Sequence, residues 1–578
     1  MNSKESRKRS RKKNKKGGRA AGILAVLLLL ILAAAGGAVY YLKFMPTDER
    51  QTLESYYEPT EEDELLIILN QEYMPAEESG PNGVVRDGAA YIRLGFLKDY
   101  IDDRYVYDGN SGTLRYTTYS ATTTAHRDSA DYDVAGESAG IAEPVVIETY
   151  DEAYVALDFI SIYSDITCTY AESPYRLTVF TAGFETEQAT VKGDTQLRRF
   201  GGPKSKILAD VKKGDTVTVI ENYGSWSKVL SQDGVIGCIK NTKLKNKTDY
   251  VVPATLEAEE QQHNLMEDKI CLAWHQSLSP AANEQIEELL ASAGSVNVVC
   301  PTWFYVDGND GSIWNNCSYT YVDYCHNRGI KVWGLVNNIE NGNVDSTQFL
   351  GNVSARDNLV KNLIDQAVAY NLDGINVDFE SLPVEAGDAY VQFIRELSLA
   401  CREKGLILSV DNYPPQSFNM FYNRTEEAAY ADYVIVMAYD EHFGGDDEAG
   451  PVASLDFVEE AVTATLEEVP ADQLILAMPF YMRDWTLASD GSLSSKVLTM
   501  ENVNSYIAEN GITTTWDETE GLNYGEFGSS EKHMIWFEDA DSLEKKLDVM
   551  DEYGTAGGAF WKLGQEPASI WSLIEKYF

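Results

Sequence analysis

The sequence predicts an α/β chain whose largest part, residues 266–578, is a (β/α)8 barrel. Apolar, β-branched runs occur at 269–274, 296–306, 330–337, 374–380, 406–411, 433–439, 474–480 and 556–563. Amphipathic helical stretches, such as Asn358–Tyr370 and Ala389–Lys404, lie between most of them. Parallel strands covered on both faces read as continuous apolar runs, and eight of them alternating with helices are what a closed barrel needs. A doubly wound open sheet is the alternative, but no Gly-rich phosphate loop follows the first run. The long interval between the seventh and eighth runs, roughly 484–540, predicts a subdomain inserted at the barrel rim.

A chain of 578 residues is too long for one core, and about three or four domains are expected. The formal net charge of −44 is unevenly spread. Residues 1–20 form a basic head carrying Arg7, Lys8, Arg9, Arg11, Lys12, Lys13, Lys15 and Lys16. The acidic remainder repels nucleic acid, so no nucleic-acid partner is expected. Residues 21–42 are uncharged and almost wholly apolar, and 22 residues of helix span about 33 Å, enough for a hydrocarbon core of about 30 Å. The basic flank places the N-terminus in the cytoplasm. The expectation is a single-pass cell-membrane protein with an extracellular body, the rival being a cleaved signal peptide ending near Ala33–Ala35. Residues 43–85 are acidic and loop-like, and read as a stalk. Seven scattered cysteines without a CxxC pair predict small buried hydrophobes, Cys317 and Cys325 being the one close pair.

Residues 86–183 contain an internal repeat. The segment Ala90-Tyr91-Ile92-Arg93-Leu94-Gly95-Phe96 recurs as Ala153-Tyr154-Val155-Ala156-Leu157-Asp158-Phe159, and Tyr100, Tyr107 and Leu114 recur as Tyr163, Tyr170 and Leu177. This predicts two copies of a small α+β unit. The pattern resembles the copper amine oxidase N-terminal-like domain, a non-catalytic module, and implies nothing about copper. Residues 188–248 carry short β segments punctuated by Gly193-Asp194, Gly201-Gly202-Pro203, Lys213-Gly214-Asp215, Tyr223-Gly224 and Asp233-Gly234, which predicts a small β-barrel. The run from Leu197-Arg198 through Gly224-Ser225-Trp226-Ser227-Lys228-Val229 to Gly237 resembles a bacterial SH3-like domain. That resemblance implies a cell-wall peptide as a partner, a ligand-free spacer being the other reading.

The fourth apolar run carries the chemistry: Asp373-Gly374-Ile375-Asn376-Val377-Asp378-Phe379-Glu380. Strand alternation sends Ile375, Val377 and Phe379 toward the helices and Asn376, Asp378 and Glu380 into the barrel. Glu380 falls at the C-terminal end, where barrel enzymes react. Polar groups stacked inside a barrel are costly unless they have partners and a purpose. Carboxylates two apart on one strand face lie about 6.5–7 Å apart at the backbone, so repulsion and burial raise the proton affinity of one of them. A buried hydrogen-bonded triplet without chemistry is the alternative.

This strand resembles the Asp-Gly-x-Asp-x-Asp-x-Glu signature of glycoside hydrolase family 18, with Asn376 where most chitinases carry Asp, as in the spore-cortex-lytic branch. Met437-Ala438-Tyr439-Asp440, Met478-Pro479-Phe480-Tyr481 and Gly557-Gly558-Ala559-Phe560-Trp561 resemble the family's sixth-, seventh- and eighth-strand motifs. The third strand, Lys331-Val332-Trp333-Gly334-Leu335-Val336, lacks the Ser-x-Gly-Gly common in chitinases. The resemblance implies a substrate polymer containing N-acetylglucosamine, hydrolysed with retention by its own acetamido oxygen, without metal or organic cofactor. It implies Glu380 as acid and base, and Asp378 on the acetamido N–H supported by Asn376. Tyr439 is implied on the acetamido carbonyl, Asp440 and Tyr481 in the substrate site, and Trp561 under the sugar ring. Peptidoglycan is favoured over chitin or N-glycans, and a non-hydrolytic glycan-binding protein on the same barrel is the alternative from another class.

Overall fold

The computed structural model describes residues 5–578, and the side chains of the basic head expected at 1–20 lie outside the described residues. Among the described residues one segment, Ala21–Lys43 within the helix Glu5–Lys43, is long and apolar enough to cross a membrane. The rest of the chain divides into two compact units, one from residues up to Asp103 with Ile141–Glu257, the other from Arg104–Gly140 with Ala258–Phe578.

In the first unit the sequence repeat becomes a repeat of structure. A hairpin, Gly83–Arg86 with Ala89–Arg93, leads into the helix Leu94–Tyr100; 63 residues on, Val146–Thr149 with Glu152–Ala156 leads into Leu157–Tyr163. The two copies join through Ala89–Arg93 and Glu152–Ala156, antiparallel, with Ile92 opposite Val155. Those residues are equivalent in the two copies, so the pair sits on a pseudo-two-fold axis, and both side chains are fully buried. The segment expected as a stalk is folded here instead. Leu66–Leu69 pairs in parallel with Arg176–Thr181, and Leu65 through Ile68 are buried, because four successive apolar residues are stable only between covered faces. Downstream, seven antiparallel strands between Glu185 and Val251 form one sheet closed over Ala189, Val191, Leu197, Val217, Val219 and Val229.

The second unit holds the barrel. Its strands are β1 Ile270–His275, β2 Val298–Pro301, β3 Lys331–Asn337, β4 Gly374–Asp378, β5 Ile407–Asn412, β6 Tyr433–Met437, β7 Leu474–Pro479 and β8 Gly557–Trp561. Every neighbouring pair is parallel, and the β1–β8 and β2–β3 pairings close the ring. The run expected at 296–306 is two strands: β2 ends at Pro301, and Phe304–Val306 forms a rim hairpin with Ile313–Asn315. The first glycine of β8 is required by close approach. A Cβ on Gly557 would lie 2.0 Å from the Ile270 carbonyl oxygen. All seven cysteines are free, so Cys317 and Cys325 are not bridged.

Residues 104–140, expected within the repeat domain, belong to this unit as a five-stranded antiparallel sheet led by Tyr105–Asp108 and Thr113–Thr117. Polar contacts hold it to the barrel helices. Arg115 reaches Asp357 at 2.7 Å and Glu396 at 2.9 Å, and Glu396 also accepts from the fully buried Arg356. Gln392 donates to Thr117 Oγ1, and the Tyr430 hydroxyl to the Thr117 carbonyl. Burial acts to raise the Glu396 carboxyl, but Arg356 and Arg115 outweigh it and hold it below the usual range.

Between β7 and β8 the chain builds a second five-stranded sheet, with outer limits Tyr481–Leu487 and Lys532–Phe537 in sequence. Asp484, fully buried, accepts from Tyr506 and lies 2.8 Å from His533 Nδ1. The helix Ala540–Glu552 returns the chain to the barrel, and its Lys546 makes a buried pair with Glu538 at 2.5 and 2.6 Å. Lys546→Met is expected to destabilise this unit by about 3–5 kcal/mol, because it leaves the carboxylate buried alone. Urea unfolding with an unchanged midpoint would refute this.

Candidate active site

β4 sorts its side chains as alternation demands. Ile375, Val377 and Phe379 pack in the layer shared with the helices, whereas Asn376 lies inside the barrel with no exposure. Beyond the strand end, the backbone of Glu380 is clamped by Asn338 from the β3–helix connection. Glu380 N donates to Asn338 Oδ1 at 2.8 Å, and Asn338 Nδ2 returns a bond to the Glu380 carbonyl at 2.9 Å. The Glu380 carboxylate accepts from the Tyr413 hydroxyl at 2.5 Å. Reciprocal side-chain bonds of this kind fix a backbone that has left its ladder, and so aim the side chain. Asn338→Ala is expected to lower kcat about tenfold with little change in KM, since a carboxyl displaced by under 1 Å still meets bound substrate. An unchanged kcat, or a loss confined to KM, would contradict it.

One pocket at the C-terminal mouth gathers Asp378, Glu380, Tyr439, Asp440, Tyr481 and Trp561. The structure thus brings together all the residues singled out on the sequence except Asn376, which lies in the barrel interior beneath. Three residues of that pocket escaped the sequence reading, Trp274, Asp411 and Tyr413, and Met437 was read only as part of the sixth-strand motif. Trp274 comes from the C-terminal part of β1 and meets Trp561 edge-on, ring centres 5.8 Å apart. Asp440 holds a left-handed backbone, φ +57°, and its carboxylate accepts from the Tyr481 hydroxyl at 2.5 Å.

Asn376 does not support Asp378 directly, as the resemblance implied. Its amide donates to Asp411 Oδ1 at 2.8 Å and to Ser409 Oγ at 3.0 Å, both on β5, while its carbonyl oxygen accepts from Trp274 Nε1 at 3.3 Å. The reason is geometric. Ser409 stands directly opposite Asn376 on the neighbouring strand, and Asp411, two residues further along that strand on the same face, lies within reach of the same amide. A carboxyl absent at position 376 therefore has a counterpart one strand over, in Asp411.

The charges follow from this packing. Burial, and then the charge of Glu380, push the Asp378 carboxyl well above the usual carboxylate range. Burial, and then Asp378, do the same to Asp411, against the opposing hydrogen bond from Asn376. One Asp378 oxygen, Oδ1, is sealed from solvent with no hydrogen-bond partner. Burial chiefly, with help from Tyr481 and the carboxylates, keeps the Tyr439 phenol protonated far past its ordinary range. Both aspartates bind protons more tightly folded than unfolded, so their contribution to stability is full below the ordinary carboxylate range and is lost as pH rises from that range toward their raised folded values. Asp411→Asn is accordingly expected to raise the thermal midpoint at about pH 7–8, and to match wild type below about pH 4. A gain of the same size at both pH values would overturn the assignment.

The comparisons with known proteins agree with this geometry. Residues 314–566 match the family model Glycosyl hydrolases family 18. The uncharacterized glycosylase YvbX of Bacillus subtilis is 26% identical over 295 residues, covering 49% of this chain and 84% of that protein. The cortical fragment-lytic enzyme of the same organism is 26% identical over 261 residues, covering 42% of this chain and 59% of that protein. The crystal structure of the Bacillus cereus spore cortex-lytic enzyme SleL shares the fold, with TM-score 0.50 and 19% identity over 63% of this chain and 89% of that one. The chain is a chitinase-like glycoside hydrolase whose residues 314–566 match the glycosyl hydrolases of family 18, and a cortical fragment-lytic enzyme is among the proteins it is similar to.

Proposed function

We propose that the chain hydrolyses β-glycosidic bonds of N-acetylglucosamine in cell-wall peptidoglycan, with retention and with the substrate's acetamido group as nucleophile. The observation that carries this reading is the gathering of the Asp378 and Glu380 side chains with Tyr439, Tyr481 and Trp561 in one pocket at the barrel mouth. A carboxyl lining that pocket offers an acceptor to an incoming N–H, which the acetamido group supplies.

The steps balance on these residues. Glu380 takes over the proton that Asp378 binds in the empty enzyme and gives it to the glycosidic oxygen as the bond to C1 breaks, while the acetamido carbonyl oxygen closes on C1 and Asp378 is left as a carboxylate. Asp378 holds the acetamido N–H and stabilises the positive ring so formed, while the Tyr439 hydroxyl donates to the acetamido oxygen and aligns it. Glu380, now a carboxylate, takes a proton from water attacking C1, which restores the acetamide and leaves the β anomer. Trp561, with Trp274 against its edge, supplies an aromatic floor for the sugar ring.

Peptidoglycan is preferred because relatives of this chain are named as cortical fragment-lytic and spore cortex-lytic enzymes. Retention of Ala21–Lys43 as an anchor would hold the catalytic body beside the cell's own wall, with the N-terminus inside. In this reading the seven-stranded sheet is an SH3-like module for wall peptide, and the copper amine oxidase N-terminal-like repeat is a spacer. Side-by-side digestion of purified peptidoglycan and chitin, with mass spectrometry, tests the substrate. Fragments ending in reducing N-acetylglucosamine are expected from the wall; cleavage of chitin alone overturns it. Protease added to intact cells is expected to remove the body, and release of a mature protein with a new N-terminus near Gly36 would refute the anchor.

A further inference from the structure

We infer that the chain carries a separate, non-catalytic binding site for a neutral saccharide, in a threonine-lined cavity of the unit that does not contain the barrel. The cavity, about 180 Å³ against about 150 Å³ for the pocket at the barrel mouth, lies between the hairpin Ile166–Ala171/Arg176–Thr181 and the outer face of the seven-stranded sheet.

Strand alternation builds the lining. Ala189, Val217 and Val219 turn inward and fill the core of the sheet. Their neighbours turn outward, with Gln188 opposite Thr218 and Thr186 opposite Tyr250. The hairpin faces them with Thr169 opposite Thr178, and with Phe180 opposite Thr167. Threonine is common on solvated strands for its β-branched shape alone. Two features separate this lining from such a face. Thr178, one of the lining residues, is only 4% exposed, and its hydroxyl has no hydrogen-bond partner. No charged side chain lines the cavity, although the chain carries 91 acidic and 47 basic residues.

Those features select the ligand. An ionised peptide or a phosphate would be desolvated there with nothing to balance its charge. A wholly apolar molecule would leave the hydroxyls and the Gln188 amide unmatched. Threonine hydroxyls and a carboxamide both donate and accept, which matches a molecule with hydroxyl and amide groups around its edge. Phe180 and Tyr250 add ring surface that suits the C–H faces of a sugar. A saccharide meets all three conditions, and the site would retain a glycan strand between catalytic events without taking part in them.

The assignment stands on this lining and not on the barrel's activity. The test titrates the full chain, carrying Glu380→Gln so that nothing is consumed, with the N-acetylglucosamine tetramer in a calorimeter. Thr218→Trp, which fills the cavity, is expected to remove one binding site per chain whatever the barrel itself binds. Thr178→Val, nearly the same shape without the hydroxyl, is expected to weaken that site about five- to tenfold while the melting temperature holds. In the parent chain without Glu380→Gln, Thr218→Trp should leave cleavage of the soluble tetramer unchanged and slow release from insoluble polymer. Unchanged stoichiometry in Thr218→Trp overturns the inference, as does binding of an acidic stem peptide in place of the tetramer. Absence of hydrolysis by the parent chain would count against the barrel reading alone.

Discussion

Glu380→Gln is expected to lower kcat on N-acetylglucosamine oligomers by about 10²–10⁴-fold, with KM changed by less than about threefold. The amide keeps the shape and can still accept from Tyr413, which bonds Glu380 at 2.5 Å, but it can neither give up a proton to the leaving oxygen nor take one from water. The clamp from Asn338 acts on the Glu380 backbone, so the substitution leaves that clamp in place. Steady-state kinetics of parent and variant on one defined oligomer check it. Equal rates would remove Glu380 from the chemistry, whatever the fold.

The second large effect is expected at Asp378. On the proposed mechanism, Asp378→Ala removes the acceptor for the acetamido N–H and the charge facing the cyclic intermediate, and a loss of about 10²–10³-fold in kcat is expected. The same loss should appear in unaltered enzyme when the acetamido group of the reacting sugar is replaced by a free amine. The two changes together should cost little more than either alone, because they break one interaction from its two ends. A thiazoline mimic of the cyclised sugar should inhibit the parent chain and lose its hold on Asp378→Ala. Fully additive losses, or first-formed product of α configuration, would exclude substrate assistance.

The barrel was legible because its strands are covered on both faces, so each one is a run of apolar residues with no competing pattern. The site was legible where one strand displays its own chemistry, as β4 does in Asn376, Asp378 and Glu380. It was illegible where chemistry arises across strands. Asp411 and Tyr413 lie 35 and 33 residues from Asn376 and Glu380 along the chain and touch them only once the barrel closes. A signal was present: alternation on Ile407–Asn412 sends Ser409 and Asp411 inward beside Asn376. Residues 104–140 were misplaced for a different reason. Their strands repeat the pattern of the second copy, and the contacts that draw them away, Arg115 with Asp357 and Glu396, join residues more than 200 positions apart.

The division of the chain has a consequence for how such a protein can be inherited. The polypeptide passes from one unit to the other at three places, after Asp103, after Gly140 and after Glu257. A gene segment beginning near residue 258 would encode all eight barrel strands, yet leave Glu396 without Arg115, Gln392 without its Thr117 partner, and the Tyr430 hydroxyl without its acceptor. Recombination that moves catalytic domains as contiguous cassettes would deliver a barrel with bare polar groups on one flank. Two breakpoints rescued by a graft of 104–140 would be needed to move it intact. The catalytic unit therefore moves intact only in a segment that also carries residues 104–140.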